Sequence, residues 1–541
     1  MFATSYSASA SSSSSFPVRM QDNGTVSISA VAPSKELQVN AGAATADTLT
    51  FLGDVHATGG VFVNGEQAAT NKNSMLISDV PVCHEPGTDA MVGLQTGGFE
   101  CDCLEGWSGP TCSEGGGGAA SRLALGNRHT CRVLSNNKAK CWGSNTGGTL
   151  GYGDTNHRGD LPNTMGDNLP YVDVGTGRTV KQISAGGSHT CAILDNDKAK
   201  CWGANGIGIL GYGDTNHRGD GPNEMGDNLP YVDLGTGRTV KQISSDHGHT
   251  CAILDNDKLK CWGSGDKLGY GDTNNRGDGP NEMGDNLPYV DVGTGRTVKQ
   301  ISAEEGSTTC AILDNDKAKC WGSNYYGQSG YGDTNRRGDG PNEMGDNLPY
   351  VDLGTGRTVK QISAGGSHTC AILDNDKLKC WGSNYAGALG YGDTNNRGDG
   401  PNEMGDNLPY VDVGTGRTVK QISLTHAATC AILDNDKVKC WGWNIGGGLG
   451  YGDTISRGEL PNSMGDSLPY VDLGTGRTAV AIRTATFDMW GSITCTILDN
   501  DAVKCWGPGF GGRLGYGDTN ARGNQPNQMG DNLPYVDLGS A

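Results

Sequence analysis

A unit of about sixty residues is repeated seven times in this chain, and the repeat limits the fold more than any other feature of the sequence. Two cysteines ten positions apart mark each copy, and the first cysteines of successive copies are 60, 60, 59, 60, 60 and 65 residues apart. A second motif, LPYVDxG, also occurs seven times. Self-similarity at such a period indicates an array of supersecondary units, either an open solenoid or a closed propeller.

Each copy predicts four short strands. In the second copy these are TVKQIS (179–184), HTCAIL (189–194), AKCWG (199–203) and PYVDLG (230–235), with a polar DNDK turn between the second and third. β-Formers placed between Gly, Asn and Asp clusters are typical of strands. The fold class predicted is therefore all-β, a seven-bladed β-propeller with four-stranded blades. A solenoid would end in an atypical cap, but the last copy closes with a normal LPYVDLG, which favours a closed ring.

The same residues carry a family resemblance. A Gly-x-x-His-Thr strand, a hairpin, Trp-Gly-x-Asn and then Gly-x-Leu-Gly recur in the copies, as in GGSHTCAILDNDKAKCWG (186–203). This pattern resembles the regulator of chromosome condensation repeat over residues 120–541. The resemblance implies a seven-bladed propeller and, from the member that names the family, guanine-nucleotide exchange on a small GTPase.

The cysteine pairs raise three possibilities: a metal site, a redox motif or a disulfide. Zinc sites use four ligands, usually with Cys-x₂₋₄-Cys spacing, and redox motifs use Cys-x-x-Cys. Cys191 and Cys201 instead flank a hairpin centred on Asn196, which places them opposite each other on neighbouring strands. We expect structural disulfides, with reduced core cysteines as the alternative. The seven pairs are Cys131/Cys141, Cys191/Cys201, Cys251/Cys261, Cys310/Cys320, Cys370/Cys380, Cys430/Cys440 and Cys495/Cys505.

The segment before the repeats has a different character. CDCLEGWSGPTC (101–112) resembles the carboxy-terminal half of an epidermal growth factor-like module, although two of that family's six cysteines are missing. The resemblance implies a Cys103–Cys112 bridge and leaves Cys83 to pair with Cys101. The predicted organisation is a disordered Ser/Ala-rich segment (1–20), a β-rich stem or linker (21–74), the growth factor-like module (75–114), a glycine linker (115–119) and the propeller (120–541).

Function is expected where the seven copies differ. They are nearly identical in CAILDNDK and GTGRT, but vary just before the His-Thr position and just after Cys-Trp-Gly. In an antiparallel blade both variable segments lie at the same end of the propeller, which we call the variable face, and loops on a rigid scaffold are frequent binding sites. Aromatic residues are typical anchors of such sites. The candidate ligand-binding residues are Tyr325, Tyr326, Tyr385, Trp443, Phe487, Trp490 and Phe510.

Three other motifs suggest weaker hypotheses. His129, His189, His249 and His368 occupy equivalent positions, but Thr308, Ala428 and Ile493 replace them in the other copies, so we expect hydrogen-bonding strand residues rather than a metal ring. Arg-Gly-Asp occurs five times, as at 218–220, and is expected to form a turn rather than an adhesion motif. Asp272, Asn274 and Asp278 follow part of a calcium-loop pattern, although Arg276 and Met283 occupy ligand positions. No cofactor is predicted, and calcium is the one candidate cation.

Charge and cysteine content set the class of protein. The formal net charge of −19 argues against a nucleic-acid partner, and no apolar run is long enough to span a membrane. The first twenty residues do not resemble a secretory signal, whereas seven disulfides would require an oxidising compartment.

We found no unique acid, base and nucleophile and expect no enzymatic activity. The predicted function is extracellular or cell-surface recognition or adhesion, with a protein or glycan ligand bound on the variable face. The alternatives are a nucleotide exchange factor and a propeller-type enzyme inhibitor.

Overall fold

A computed structural model describes residues 121–303, 306, 308–486 and 491–540, together with the backbone of short strands in the amino-terminal segment. The chain divides into two compact units, residues 1–104 with 108–113, and residues 105–107 with 114–541. In the first unit the strands are β1 (Ala8–Ala10), β2 (Val18–Met20), β3 (Val26–Ile28), β4 (Leu37–Asn40), β5 (Leu49–Phe51), β6 (Val63–Asn64), β7 (Thr88–Gly93) and β8 (Phe99–Cys103). They form the sheets β1-β4-β6, β2-β3-β5 and β7-β8. The side chains of the predicted growth factor-like module lie outside the described residues.

The second unit contains seven antiparallel three-stranded sheets, which we call blades 1 to 7 in chain order. Their strands are, in blade 1, β9 (Leu123–Leu125), β10 (His129–Val133) and β11 (Ala139–Gly143); in blade 2, β12 (Val180–Ala185), β13 (His189–Leu194) and β14 (Ala199–Gly203); in blade 3, β15 (Val240–Ser245), β16 (His249–Leu254) and β17 (Leu259–Gly263); in blade 4, β18 (Val298–Ser302), β19 (Thr308–Leu313) and β20 (Ala318–Gly322); in blade 5, β21 (Val359–Ala364), β22 (His368–Leu373) and β23 (Leu378–Gly382); in blade 6, β24 (Val419–Leu424), β25 (Ala428–Leu433) and β26 (Val438–Gly442); and in blade 7, β27 (Ala479–Thr486), β28 (Ser492–Leu498) and β29 (Val503–Trp506). The predicted all-β propeller with seven blades is confirmed.

The prediction of a fourth strand in each blade is wrong. PYVDLG-type segments do not form strands, and the long loop of each copy meets the third strand at one isolated bridge, such as Gly203 with Arg218. In blade 1 the segment retains one further backbone bond, from Val172 N to Ala139 O at 2.8 Å. The physical reason lies in Pro170, which has no N–H to donate to a ladder. Each blade therefore has three strands and an irregular outer edge.

Short 3₁₀ turns punctuate the loops. One set starts at the glycine of each Met-Gly-Asp sequence: Gly166–Asn168, Gly226–Asn228, Gly284–Asn286, Gly345–Asn347, Gly405–Asn407, Gly465–Ser467 and Gly530–Asn532. The other set lies in the loops after Cys-Trp-Gly: Thr146–Gly148, Gly265–Lys267, Tyr385–Gly387, Ile445–Gly447 and Phe510–Gly512. In the part of the chain that is described, no helix has the length and apolar character needed to cross a bilayer.

The core lies between blades. Each hydrophobic cluster joins residues of two consecutive blades, as where Trp202 of blade 2 packs with Val133 and Cys141 of blade 1. Hydrogen bonds also join the two blades. Trp202 Nε1 and Thr190 Oγ1 both donate to the carbonyl oxygen of Thr149 in the preceding copy, at 3.1 and 2.8 Å. Burying an indole N–H requires such a partner.

The last blade meets the first in the same way. Thr130 Oγ1 and Trp142 Nε1 of blade 1 donate to Arg513 O of blade 7, each at 3.0 Å. A hydrophobic cluster also joins the two blades, with Leu123 and Trp142 packed against Ile493. The ring is therefore closed, as the normal end of the last repeat predicts.

Candidate functional site

The predicted disulfides form in all seven blades. Cys191 and Cys201 are direct partners in the β13–β14 register, with Cα atoms 4.1 Å apart. The equivalent bridges are Cys131–Cys141, Cys251–Cys261, Cys310–Cys320, Cys370–Cys380, Cys430–Cys440 and Cys495–Cys505. Their sulfurs are buried, so they stabilise the hairpins and take no part in surface chemistry. The side chains of Cys83, Cys101, Cys103 and Cys112 lie outside the described residues.

The two variable segments of each copy lie together, as strand direction predicts. In blade 3, Lys267 from the loop after Cys-Trp-Gly has its Nζ 3.5 Å from the carboxylate of Asp246, which precedes the His-Thr position. In blade 6, Trp443 N donates to Ala427 O at 2.8 Å. The constant turns pair with each other instead, as in the Arg178–Asp195 ion pair at 3.2 Å. The variable face is thus built from both variable segments.

The candidate aromatic residues lie on this face and are largely exposed. Tyr325 is 66% exposed and Tyr385 is 59% exposed, with Tyr326 and Phe510 close behind. Trp443 is half-buried and meets the Tyr385 ring edge-to-face, with centroids 6.0 Å apart. This pair spans the seam between blades 5 and 6. Phe487 and Trp490 lie outside the described residues.

Three exposed aliphatic residues beside the aromatic ones were missed by the sequence reasoning. They are Ile445, Ile455 and Leu460, all in the copy that contains blade 6, and the last two are more than 60% exposed. Asn444 Nδ2 donates to Ile455 O at 3.2 Å, which fixes Ile455 beside the variable loop. A signal was present, because Ile455 replaces an asparagine found in the other six copies. We call these exposed residues, together with the half-buried Trp443, the aromatic arc: Tyr325, Tyr326, Tyr385, Trp443, Ile445, Ile455, Leu460 and Phe510.

The histidines are structural, as predicted. His129 Nε2 lies 2.8 Å from Thr190 Oγ1, and the same contact links His189 to Thr250, His249 to Thr309 and His368 to Thr429. Every one of these rings is buried and reaches into the next blade. Burial lowers the pKa of His129 and His368 to about 3 and that of His189 to about 4, so they are neutral at physiological pH.

Blade 3 contains an arrangement that the sequence did not reveal. Asp246 Oδ1 lies 2.9 Å from His249 Nδ1, and His249 Nε2 lies 2.9 Å from Thr309 Oγ1, an order of acid, imidazole and hydroxyl. Burial opposes ionisation of Asp246, but His249 and Lys267 together with backbone N–H donors hold the pKa of its carboxyl well below the ordinary value. The three side chains are completely buried. Because no substrate reaches Thr309, the arrangement stabilises the seam between blades 3 and 4.

The charged side chains of the Arg-Gly-Asp loops form ion pairs and hydrogen bonds within the same loop. Arg218 forms an ion pair with Asp214 at 2.7 Å, and Glu224 Oε2 accepts from Gly219 N and Gly221 N at 2.9 Å. The suggested calcium loop is similar, since Arg276 pairs with Asp272 at 2.8 Å. Among the described residues no group of three His, Cys, Asp or Glu side chains is placed to hold a metal ion. These loops are turns closed by internal ion pairs.

Comparison with known proteins agrees with this architecture. Models of the regulator of chromosome condensation (RCC1) repeat match residues 141–193, 180–208, 298–328, 320–372 and 359–388. The chain contains RCC1 repeats. The matches fall within blades 1, 2, 4 and 5 and the loops between them, and the nearly identical copies in blades 3 and 6 extend the RCC1 pattern along the chain.

Several curated relatives share the RCC1-type sequence at low identity. The ultraviolet-B receptor UVR8 of Arabidopsis thaliana is 24% identical over 406 residues, which cover 73% of this chain and 79% of the relative. The mitochondrial RCC1 domain-containing protein RUG3 of Arabidopsis thaliana is 26% identical over 310 residues, 56% of this chain and 60% of the relative. The human E3 ubiquitin-protein ligase HERC2 is 25% identical over 340 residues, 62% of this chain but only 6% of the relative. The chain thus spans less than two thirds of the last two proteins.

Solved structures support the fold alone. Human WBSCR16 superposes with a TM-score of 0.52 at 18% identity, covering 69% of this chain and 86% of its own. Yeast RCC1 (Prp20), in its complex with Kap60, also gives 0.52, at 15% identity, covering 77% of this chain and 85% of the compared chain.

Proposed function

We propose that this RCC1-repeat chain is a recognition protein that binds a macromolecular ligand through the aromatic arc, and that it works outside the cell or at its surface. One observation carries the proposal. In a repeat whose copies are otherwise nearly identical, most exposed aromatic and aliphatic residues outside the repeated PYVD segment lie in the copies of blades 4 to 7, whereas the first three copies contribute Leu161 and Ile207. The RCC1-type fold does not require them, because the equivalent positions of blades 1 and 2 carry Ser144, Thr146 and Ala204.

The chemistry of the arc suits a protein ligand. Exposed aromatic side chains contribute large contact area at small cost in conformational entropy, and they dominate binding energy at many interfaces. The edge-to-face Tyr385–Trp443 pair presets both rings before a ligand arrives. A glycan that stacks on the tyrosines is the other ligand class consistent with this surface. The extracellular setting rests on the seven disulfides, because such bridges persist in oxidising compartments.

A triple variant tests the arc. We expect Tyr325→Ser, Tyr326→Ser and Trp443→Ser together to weaken capture of a ligand by about 100-fold or more, since two or more anchors are lost. The ligand is first identified in a screen of purified extracellular proteins and immobilised glycans, and affinities are then measured by surface plasmon resonance. Because these side chains project from loops, the midpoint of thermal unfolding should change little.

The matched control is Ile207→Ser, which changes an exposed aliphatic residue in the corresponding loop of blade 2. The control should bind as tightly as the unmodified protein. Unchanged capture by the triple variant, or equal loss in the control, would contradict the assignment of the arc as the binding surface.

A further inference from the structure

The long loop after blade 7 differs chemically from those after the other blades. After blades 2 to 5 this loop reads RGDGPNE, with an aspartate and a glutamate, whereas after blade 7 it reads RGNQPNQ (522–528). Asn524 and Gln528 thus replace the two carboxylates, and Gln525 replaces a glycine. In a chain with a net charge of −19, this loop alone has lost both acidic groups at these positions.

The backbone of the loop does not need this change. Gln528 Oε1 accepts from Asn524 N and Gln525 N, both at 3.1 Å. In blade 2, Glu224 Oε2 accepts from the equivalent Asp220 N and Gly221 N at 3.1 and 2.9 Å. An amide and a carboxylate therefore close the same turn, so the replacement alters charge and hydrogen-bonding capacity while the local structure is kept.

An open cavity of about 480 Å³ lies at this loop, and most of its lining is amide. Ala521 also lines it and is the smallest of the seven side chains at its position. In blade 1 the equivalent His157 Nδ1 accepts from Asn145 N at 2.9 Å, a contact that alanine cannot make. The amide side chains at the cavity are Asn520, Asn524, Gln525, Asn527, Gln528 and Asn532.

The cavity has no net charge to offer a ligand. Its one cationic side chain, Arg522, is neutralised by an ion pair with Asp518 at 2.8 Å. A free anion or cation would leave its solvation shell without gaining an opposite charge, and charged groups are costly to desolvate unpaired. An apolar ligand would cover amide groups without satisfying them.

A neutral, hydroxyl-rich ligand fits this lining. An Asn or Gln side chain has one acceptor and two donors, and neighbouring hydroxyl groups on a sugar ring both donate and accept. At this cavity Gln528 Oε1 is engaged by two backbone N–H groups and Asn524 Oδ1 is buried, so these two side chains offer their NH₂ donors. The volume lies within the range of about 300–1,000 Å³ usual for small-ligand sites. The geometry points to a neutral saccharide as the ligand of this cavity, and we call the cavity the amide site. The amide site shares no lining residue with the aromatic arc but borders it, because Asn524 lies against Gly447 in the loop of Ile445 and Asn520 lies against Gly509 beside Phe510. The proposal for the amide site does not depend on the arc.

Restoring the consensus tests the amide site without disturbing the fold. The variant Asn524→Asp, Gln525→Gly, Gln528→Glu gives this loop the sequence that the copies with blades 2 to 5 already fold with. The probes are neutral hexose and N-acetylhexosamine oligosaccharides, used free in solution by saturation-transfer NMR and calorimetry, and immobilised as conjugates. We expect the unmodified chain to bind at least one of them and the variant to bind it about tenfold or more weakly, because several hydrogen bonds are lost.

The matched control adds the same two negative charges at the same loop position elsewhere. Thr164→Glu with Ser463→Glu places the consensus glutamate in the loops after blades 1 and 6, and the saccharide binding of this variant should be unchanged. Binding to free oligosaccharides would indicate a soluble sugar, whereas binding to conjugates alone would indicate a surface-attached glycan. The triple arc variant should retain the binding, which separates this site from the proposed function. Absence of binding to every neutral saccharide, equal loss in the control, or preference for sialylated or sulfated sugars would overturn the proposal.

Discussion

At the scale of single residues, the buried histidines show how the repeats use polar side chains. Each of the four rings reaches across a blade boundary to the threonine that directly precedes the first cysteine of the next copy. In His129, His189 and His368 only Nε2 has a hydrogen-bond partner, and burial keeps these imidazoles neutral, which suits a dry seam better than a charged side chain does. Where Thr308 replaces histidine in blade 4, its hydroxyl donates within its own blade, to Ser323 O at 2.7 Å. The position therefore tolerates a residue that cannot ionise.

These histidines predict a loss of stability in mild acid. His129 and His368 have a pKa of about 3 in the folded chain, against 6.5 for an ordinary histidine. Above pH 6.5 both states are neutral; below it the unfolded chain takes up protons that the folded chain refuses. The free energy of unfolding should then fall by about 1.4 kcal/mol per pH unit for each histidine between pH 6 and pH 4.

The double variant His129→Thr, His368→Thr checks this by denaturant unfolding at several pH values. The variant should lose the hydrogen bonds of these histidines at every pH. The slope of its unfolding free energy against pH, however, should be smaller by about 3 kcal/mol per pH unit than that of the unmodified chain. Thr308→Ala, which removes no titratable group, should leave the slope unchanged. An unaltered slope in the double variant would show that these rings do not stay neutral.

At the scale of the element, the hairpin between the second and third strands is the most regular part of each blade. The cysteines face each other in register, and the polar turn between them includes Asp197 at a φ of 59°. Asparagine and aspartate are the residues other than glycine that enter this left-handed region most readily. The bridge closes a loop of about 11 residues, and the hairpin already holds its ends together.

Removing one bridge should therefore have a moderate effect. We expect Cys191→Ala, Cys201→Ala to lower the free energy of unfolding by about 2 kcal/mol, below the full chain-entropy value. Denaturant unfolding without reductant measures this, and thiol labelling of the native unmodified protein should find no reactive cysteine in the blades. Extensive labelling would instead favour a reducing compartment and the exchange-factor hypothesis.

At the scale of the whole molecule, stability depends on seven equivalent seams. Each third strand carries a buried lysine whose Nζ donates to carbonyl groups of the loops. Lys200 donates to Val174 O at 3.0 Å and Gly226 O at 2.8 Å, while Lys140 donates to Gly166 O at 2.9 Å and Leu538 O at 2.7 Å. The Lys140 contact joins blade 1 to the segment after blade 7, so the closing seam uses the same device as an internal one.

Equivalent seams predict equivalent losses. Lys140→Met and Lys200→Met should each lower the free energy of unfolding by about 2–4 kcal/mol, since each removes two hydrogen bonds from a charged donor. The glycine carbonyl group of each pair keeps its bond from Leu169 N or Leu229 N, so the loss falls mainly on the Leu538 and Val174 carbonyl groups. Calorimetry on the two variants measures the comparison directly. A much smaller loss for Lys140→Met would mean that the ring opens readily between blades 7 and 1.

Most of the architecture could be predicted because the repeat supplies its own alignment. Seven close variants of HTCAILDNDKAKCWG specify a hairpin, its turn and its cysteine register, all of which depend on neighbours in sequence. The prediction of an outer strand was wrong. It was based on the strand-like composition of PYVDLG, but Pro170 has no N–H to donate to a ladder. Tyr171 also turns toward Asn136, whose Nδ2 donates to the tyrosine hydroxyl at 3.1 Å. Ile455 and Leu460 were missed because exposure of an aliphatic residue depends on the loops around it.

The sequence by itself determined the number of blades, the paired cysteines and the separation of a variable from a constant end, since these follow from local periodicity and strand direction. Only the tertiary structure decided that Asp246, His249 and Thr309 line up across a seam, and that Asn524, Gln525 and Gln528 surround an open cavity. The physical reason is distance along the chain. Contacts across blade boundaries join residues about sixty positions apart, and no local pattern records which side chain will face which.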